Sequence, residues 1–259
     1  MSGIWGLGIL ILRGQYSARI WAVADVWTRY ALAIPASVLA CAGLIALQPD
    51  MGTALTFLPI FLAALLLGGV RWKVIVGLAL IGILLVPAGW MMLEDYQKQR
   101  ILTMLDPESD KLGAGWNIIQ SKTAIGSGGW DGKGWLKGTQ SQLDFLPESH
   151  TDFIIAVLAE EHGLRGVLML MGLYLLILLR GFWIGLRAQT SFGRMMAGSL
   201  TLTFFVYIFV NMGMVAGLLP VVGVPLPLVS AGGTSVVTLM AGFGLLMAVA
   251  TERRTVGTG

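Results

Sequence analysis

Six long runs of apolar residues dominate the sequence, and they lie at about residues 31–48, 54–70, 73–93, 164–186, 196–219 and 233–251. Each run has about 17 to 24 residues, which is long enough for a helix to cross the hydrocarbon core of a bilayer. Only 12% of the residues are charged while 56% are hydrophobic, so a soluble protein of this size could not cover its surface. The sequence therefore predicts an all-α polytopic membrane protein with about six full transmembrane helices. It excludes disordered, collagenous and coiled-coil chains and an ordinary cytosolic enzyme.

The basic residues predict how these helices are oriented. They gather before the first full span, between the second and third, between the fourth and fifth, and after the last: Arg13, Arg19, Arg29; Arg71, Lys73; Arg180, Arg187, Arg194; Arg253, Arg254. Because lysine and arginine are enriched in cytoplasmic connections, we expect these segments and the C-terminus to lie in the cytoplasm. The connections 48–53, 94–163 and 220–233 are then external, so nearly all polar chemistry is expected on the outer face.

This orientation divides the chain into five parts: a poorly assigned N-terminal segment, three transmembrane helices, a long external loop with a candidate catalytic segment, three more transmembrane helices and a cytoplasmic tail (1–30, 31–93, 94–163, 164–251 and 252–259). The formal net charge of +3 is too small to indicate a nucleic-acid partner. Cys41 is the one cysteine in the sequence, so no internal disulfide can form.

A glycine-rich stretch at 126–134 superficially resembles a phosphate-binding loop. It does not fit the Walker pattern, since Ser127 stands where the first glycine is needed and Gly134 follows the lysine where Ser or Thr is needed. Asp131 likewise breaks the G-x-G-x-x-G pattern. We therefore interpret this stretch as a flexible external turn.

Carboxylates concentrate where the long external loop re-enters apolar sequence, at Asp144, Glu148 and Asp152. A carboxylate beside the membrane is costly to desolvate and usually serves a partner or a reaction. Asp152 opens a helical run, so it is either an N-terminal cap or a reacting group. Asp50, in the external turn 48–53, is open to the same two interpretations.

Three further features are ambiguous on pattern alone. Glu160 and Glu161 lie deeper in the apolar run, and a structural ion pair with Arg165 would explain them. The uncharged loop 220–234, with its prolines and glycines, is either a re-entrant cavity wall or simply a rigid loop. The external cations are mostly expected at lipid headgroups, with one or two binding an anion such as a lipid pyrophosphate (Lys98, Arg100, Lys111, Lys122, Lys133, Lys137).

Three segments resemble the SEDS family, named for shape, elongation, division and sporulation. They are LQPDMGTAL at 47–55, the stretch 105–163 with its LPESHTDF element, and NMGMVAGLLPVVGVPLPLVSAGG at 211–233. The run DPESD…GTQSQL is similar to the elongation branch of the family and not to its division branch. The family fold has ten transmembrane helices, and the six apolar runs match its last six. The resemblance therefore implies a chain truncated at its N-terminus, without the first four helices and their QPSE motif, and with Ala231 where the branch has tyrosine.

The resemblance also implies an activity and a location. Members polymerise lipid II into glycan strands for cell elongation and rod shape, as peptidoglycan glycosyltransferases of the bacterial cytoplasmic (inner) membrane. They work with a class B penicillin-binding protein, a transpeptidase, within the elongation machinery. By motif, Asp152 is the catalytic residue, as general base or as ligand of a divalent cation, Mg²⁺ or Mn²⁺. Asp50, Lys122, Glu148 and Arg100 are the candidate substrate-binding residues, and no organic cofactor is expected.

Two other functions remain open at this level. A flippase for lipid-linked precursors also needs polar residues in a helix bundle, although these spans carry almost no charge between their ends. A non-catalytic scaffold for a class B penicillin-binding protein is the second alternative, because the family's first four helices are expected to be missing.

Overall fold

A computed structural model describes residues 72–110, 113–142 and 150–252, all of which belong to one compact unit, residues 50–259. The regular structure in these ranges is entirely helical. A 3₁₀ turn at Pro107–Asp110 separates the second and third of the helices, which are α1 (Trp72–Met92), α2 (Asp95–Leu105), α3 (Ala114–Gly128), α4 (Thr139–Gln142), α5 (Ile154–Arg187), α6 (Ser191–Val215) and α7 (Gly233–Thr251). The apolar runs 31–48 and 54–70, and the segment 1–30, lie outside the described residues.

Three of these helices are long and apolar enough to cross a membrane: Ile154–Arg187, Phe192–Val215 and Gly233–Thr251. They pack through aromatic edge-to-face contacts, with ring centroids 5.7 Å apart for Tyr174 and Phe204 and 5.5 Å for Phe204 and Phe243. The close approach of α5 and α6 depends on Gly181, where a Cβ would lie within 3 Å of the Thr201 side chain. The prediction of an all-α polytopic membrane protein is confirmed.

Helix α5 consists of two parts that join at Gly163. The backbone there has φ 63° and ψ −164°, which is not helical and is open to glycine almost alone. The part after Gly163 corresponds to the apolar run at 164–186, whereas the part before it, Ile154 to His162, forms an arm of α5. The observed helix therefore begins about ten residues earlier than the apolar run, because the arm is buried by protein and not by lipid.

Helix α3, in the long segment that precedes α5, packs against the arm of α5 and the end of α6. Ile118 and Ala124 on α3 are buried, and the Ser121 hydroxyl donates to the Val215 carbonyl oxygen at 2.9 Å, near the end of α6. Gly128 allows α3 to touch the arm of α5, since a Cβ there would lie 1.9 Å from the Ala159 carbonyl oxygen. This packing brings the chemistry-bearing residues of the loop next to the helix ends.

The structure corrects the interpretation of 126–134 as a flexible turn. The N–H groups of Lys133 and Gly134 donate to the carbonyl oxygens of Glu160 and Glu161, both at 2.9 Å. In return, the Leu164 N–H donates to the Gly129 carbonyl oxygen at 2.9 Å. Gly128 and Gly132 serve this contact, because a Cβ would lie 1.9 Å from the Ala159 carbonyl oxygen at the first and 2.2 Å from the Glu161 carbonyl oxygen at the second.

Candidate active site

Asp152 lies in the turn that precedes α5, at the end of the helix bundle where α5 begins and α6 ends. The N-cap of α5 is Phe153 and not Asp152, and the Phe153 ring is buried in the core. Asp152 itself is half-buried. The next residue is thus held by packing, which fixes the backbone from which the Asp152 side chain extends.

Two buried side chains attach this turn to the loop between α6 and α7. The Asn211 amide Nδ2 donates to the Asp152 carbonyl oxygen at 2.8 Å and to the Val224 carbonyl oxygen at 2.7 Å. The Ser230 hydroxyl donates to the Thr151 carbonyl oxygen and accepts from the Leu226 N–H at 2.7 Å. Asn211 on α6 and Ser230 in the loop after α6 therefore hold the neighbouring backbone carbonyl groups of Asp152 and Thr151 against that loop.

The loop that follows α6 brings three of the predicted site residues together. The Arg100 Nη1 donates to the Val221 carbonyl oxygen at 3.3 Å. The Lys122 ammonium lies over Gly217, where a Cβ would be 2.6 Å from its Nζ. The Asp152 carboxylate faces Gly223, where a Cβ would be 3.4 Å from Oδ2.

Glycine is required at both of these contact points. The backbone φ is +69° at Gly217 and +73° at Gly223, a region that residues with a side chain rarely adopt. One carboxylate and two cations thus contact a single loop, residues 217–223. This arrangement can accept a proton on one side and offset negative charge on the other. The other two predicted residues, Asp50 and Glu148, lie outside the described residues.

The loop 220–234 forms a packed wall beside Asp152. Its side chains Val222, Val224 and Leu226 are buried. The Tyr174 hydroxyl of α5 donates to the Pro227 carbonyl oxygen at 2.7 Å. The Ala231 N–H donates to the His150 carbonyl oxygen at 3.0 Å, so the position where the elongation branch has tyrosine is also adjacent to the Asp152 turn. The packing and hydrogen bonds show that this loop is rigid, and its role as the wall of a substrate cavity stays a prediction.

The predicted ion pair between Glu160 or Glu161 and Arg165 is wrong. Glu160 is fully buried and binds Lys133 instead, with Oε1 at 2.7 Å from Nζ. The same carboxylate accepts from the N–H groups of Thr139 at 2.8 Å and Gln140 at 3.0 Å. Arg165 pairs with the exposed Asp131. The arm turns the two glutamates inward, so a partner one turn away on the helix is out of reach.

Sequence reasoning missed Asn211, Ser230 and Lys133 as structural partners. A single amide in the apolar run 196–219 was a usable signal, since a polar group at that depth needs a partner. Ser230 and Lys133 gave no such signal, because serine in a loop and lysine among external cations are ordinary.

Known proteins similar to this chain identify its family. The FtsW/RodA/SpoVE family of cell cycle proteins matches residues 7–255. The peptidoglycan glycosyltransferase MrdB of Escherichia coli K12 is 59% identical over 212 residues, covering 82% of this chain and 57% of MrdB. A probable peptidoglycan glycosyltransferase FtsW of Alkalilimnicola ehrlichii is 40% identical over 234 residues, covering 88% and 57% respectively. The chain therefore spans a little over half the length of the curated relatives it matches.

Two solved structures are similar to this chain in fold. A chain of a peptidoglycan synthase complex, described as coordinating polymerisation and crosslinking, superposes with a TM-score of 0.73 and 34% identity over 90% of this chain and 64% of that one. The rod-shape-determining protein RodA of Thermus thermophilus superposes with a TM-score of 0.58 and 29% identity, over 90% and 59%. The greater identity to MrdB than to FtsW confirms the resemblance to the elongation branch. This multi-pass bacterial membrane protein therefore belongs to the FtsW/RodA/SpoVE family, the SEDS family that its motifs predicted.

Proposed function

We propose that the chain is the part of a peptidoglycan glycosyltransferase that carries the catalytic aspartate, and that the enzyme polymerises lipid II for cell elongation. The observation that carries the proposal is the convergence of Arg100, Lys122 and Asp152 on the loop 217–223. The names of the relatives MrdB and FtsW support the reaction class.

In the proposed reaction, the 4-hydroxyl of the acceptor sugar attacks the anomeric carbon of a polyprenyl-pyrophosphate-linked glycan. The bond from that carbon to the pyrophosphate oxygen breaks as the new glycosidic bond forms. Asp152 takes the hydroxyl proton as general base. Lys122 and Arg100 offset the negative charge on the leaving pyrophosphate. Half-burial suits the base, because it keeps the carboxylate accessible to a hydroxyl while limiting competition from water.

A Mg²⁺ or Mn²⁺ ion bound by Asp152 is a separate proposal. Such ions prefer several oxygen ligands, and no group of three or more His, Cys, Asp or Glu side chains occurs within the ranges that the structure describes. The described residues thus contribute one carboxylate and do not by themselves fit a divalent cation. No step is assigned to one. The two further carboxylates predicted for the site, Asp50 and Glu148, would have to complete the ligand set.

Location and partner follow from the same proposal. We place the protein in the cytoplasmic (inner) membrane with its C-terminus in the cytoplasm, which puts Asp152 on the outer face where a lipid-linked sugar is polymerised. We also propose a class B penicillin-binding protein as partner within the elongation machinery. The solved synthase complex that resembles this chain couples polymerisation to crosslinking, which supports such a pairing.

The test is polymerisation of labelled lipid II in liposomes that contain the chain and a class B penicillin-binding protein. Asp152→Ala and Asp152→Asn are expected to lower the rate by about 10²- to 10⁴-fold, the usual contribution of a general base. Asp131→Asn, on an exposed carboxylate of the same external stretch, is the matched control and should leave the rate unchanged.

Polymerisation at the wild-type rate in both Asp152 variants would overturn the catalytic assignment. Translocation of lipid II without glycan product would favour the flippase alternative. Stimulation of the penicillin-binding protein's crosslinking without glycan product would favour the scaffold.

A further inference from the structure

A cavity of about 380 Å³ opens between α6 and α7, with part of α5 as its floor. Its lining on α7 recurs along one helical face from Thr234 and Ser235, through Thr238 and Gly242, to Leu246. That face covers about three helical turns, or about 18 Å along the axis. The cavity is therefore an elongated groove that runs from the external end of α7 into the membrane.

Most polar groups of the groove are already bonded. Four of its five serine and threonine hydroxyls donate within their own helices or caps: Thr201 to Ala197 O, Thr203 to Ser199 O, Ser235 to Gly232 O and Thr238 to Thr234 O, each at 2.8 Å. The remaining wall is largely hydrocarbon, including Leu200, Phe204 and Phe243. An occupant matched to such a wall is an apolar chain without hydrogen-bonding groups along its length.

The groove is narrow where α6 and α7 approach each other. A Cβ at Gly242 would already be in van der Waals contact with Cδ2 of Leu200 on α6, at 3.5 Å. An α-helix with its side chains is about 10 Å wide, so a helix does not fit at this point. A single hydrocarbon chain is much thinner than a helix and can lie along the apolar wall.

The external end of the groove reaches the candidate active site. Pro225, which lines the groove, follows directly after Val224, whose carbonyl oxygen accepts from Asn211. Asn211 also holds the Asp152 carbonyl oxygen, and Gly223 faces the Asp152 carboxylate. One short piece of backbone thus borders the reacting carboxylate on one side and the apolar groove on the other.

We propose that this groove binds the polyprenyl chain of the lipid-linked sugar while the sugar lies at Asp152. The inference rests on the proposed function, because it assigns a place to the apolar part of the same substrate. Acyl chains of membrane phospholipids have similar chemistry and compete for the groove. Their phosphate can pair with Lys122 and Arg100, but they carry no sugar hydroxyl for Asp152 to deprotonate.

The variant Gly242→Leu fills the groove from the α7 side. Its matched control is Gly244→Leu on the same helix, where a Cβ would meet nothing within 4 Å. With a full-length polyprenyl substrate, Gly242→Leu should raise KM about tenfold, as expected when about two methylene groups lose their burial. With an analogue of two or three isoprene units, the same variant should behave as wild type. Gly242→Ala fits at ordinary contact distance and should have little effect in either case.

An equal KM for Gly242→Leu and Gly244→Leu with the long-chain substrate would overturn the groove assignment. An equal loss with long and short chains would also overturn it, because the effect would then be structural and independent of the chain.

A second measurement keeps this test separate from the proposed activity. Polyprenyl phosphate with a photoreactive group in its chain should crosslink to α7 of the wild-type protein, and Gly242→Leu should reduce that crosslinking. Efficient competition by phospholipid would instead assign the groove to membrane acyl chains and overturn the proposal. If crosslinking succeeds but no glycan forms with wild-type protein, the proposed function fails while the groove assignment stands.

Discussion

Asn211 is the residue on which the position of Asp152 most depends. It is fully buried, and its Nδ2 donates to two backbone carbonyl oxygens from different segments. The orientation of the amide is fixed by chemistry, because only the NH₂ group can donate to two carbonyl oxygens. Its Oδ1 is buried and has no hydrogen-bond partner among the described residues. The amide is therefore expected both to hold the Asp152 turn in place and to stabilise the fold.

Asn211→Leu should therefore lower both stability and polymerisation. The change keeps the branched shape of the side chain but leaves the Asp152 and Val224 carbonyl oxygens without a donor, and each unsatisfied buried group costs about 1–3 kcal/mol. We expect the two groups together to favour unfolding in detergent by about 2–6 kcal/mol, with a clear loss of glycan product. Thermal unfolding and the lipid II assay measure the two effects.

Thr203→Val on the same helix is the control for this substitution. The Thr203 hydroxyl donates only to the Ser199 carbonyl oxygen one turn back, at 2.8 Å, so its loss should change stability by less than about 1 kcal/mol. Similar behaviour of the two variants would show that Asn211 has no special part in holding the Asp152 turn.

The kink at Gly163 provides a second residue-scale prediction. A Cβ at Gly163 would lie 2.4 Å from the Gly132 backbone N and 2.5 Å from the Trp130 carbonyl oxygen. Gly129 has a similar backbone conformation, with φ 57° and ψ −141°, but a Cβ there would meet nothing within 4 Å. Gly129→Ala should therefore cost only the backbone strain, about 1–3 kcal/mol. Gly163→Ala should cost clearly more, because the clash with backbone adds to the strain, and thermal unfolding would measure the difference. Equal losses would mean that the contact at Gly163 is loose.

At the scale of elements, the arm of α5 and the loop after α3 behave as one packed unit. The buried Glu160 carboxylate accepts from Lys133 and from the first N–H groups of α4, while the two backbones exchange hydrogen bonds around Gly163. The arm leads directly into the Asp152 turn. The loop after α3 is thus joined to the start of α5, and so to the Asp152 turn, through the buried pair of Lys133 and Glu160.

A double-mutant cycle on Glu160 and Lys133 tests this connection. The single changes Glu160→Gln and Lys133→Met each leave a charge without its partner beside a fully buried site, for which losses of about 3–5 kcal/mol are typical. The double variant should lose less than the sum of the two, because no uncompensated charge remains. Equilibrium unfolding in detergent, followed by circular dichroism, would measure the coupling.

The pair Arg165–Asp131 serves as the matched control for this cycle. It joins the same two elements, but both side chains are about two-thirds exposed, at 66% and 67%. Exposed pairs contribute about 0–1 kcal/mol, so that cycle should show little coupling. Strong coupling at the exposed pair and none at Glu160 would contradict the role assigned to the buried pair.

At the scale of the whole molecule, the sequence predicted best which segments lie in lipid and which lie in water. Apolar runs identified the spans that became α5, α6 and α7, because hydropathy reports the lipid environment of each residue. Hydropathy could not identify side chains that bind each other from distant places in the sequence, such as Glu160 and Lys133, which are separated by 27 residues. Nor could it find the contact of Asn211 with Asp152, 59 residues away. Such contacts are set by tertiary packing, on which the local pattern of residues carries no information.

The orientation of the whole chain gives the last prediction. Basic residues in alternate connections predict that the loop containing Asp131 is external and that the turn containing Gln189 is cytoplasmic. Both positions are exposed, so cysteines placed there are accessible to reagents in their own compartment. In a Cys41→Ser background, a membrane-impermeant maleimide added to intact cells should label Asp131→Cys and not Gln189→Cys. Permeabilised cells should label both, which serves as the control for reactivity. The reverse pattern in intact cells would place Asp152 on the cytoplasmic side, and a general base there could not act on a lipid-linked sugar at the outer face.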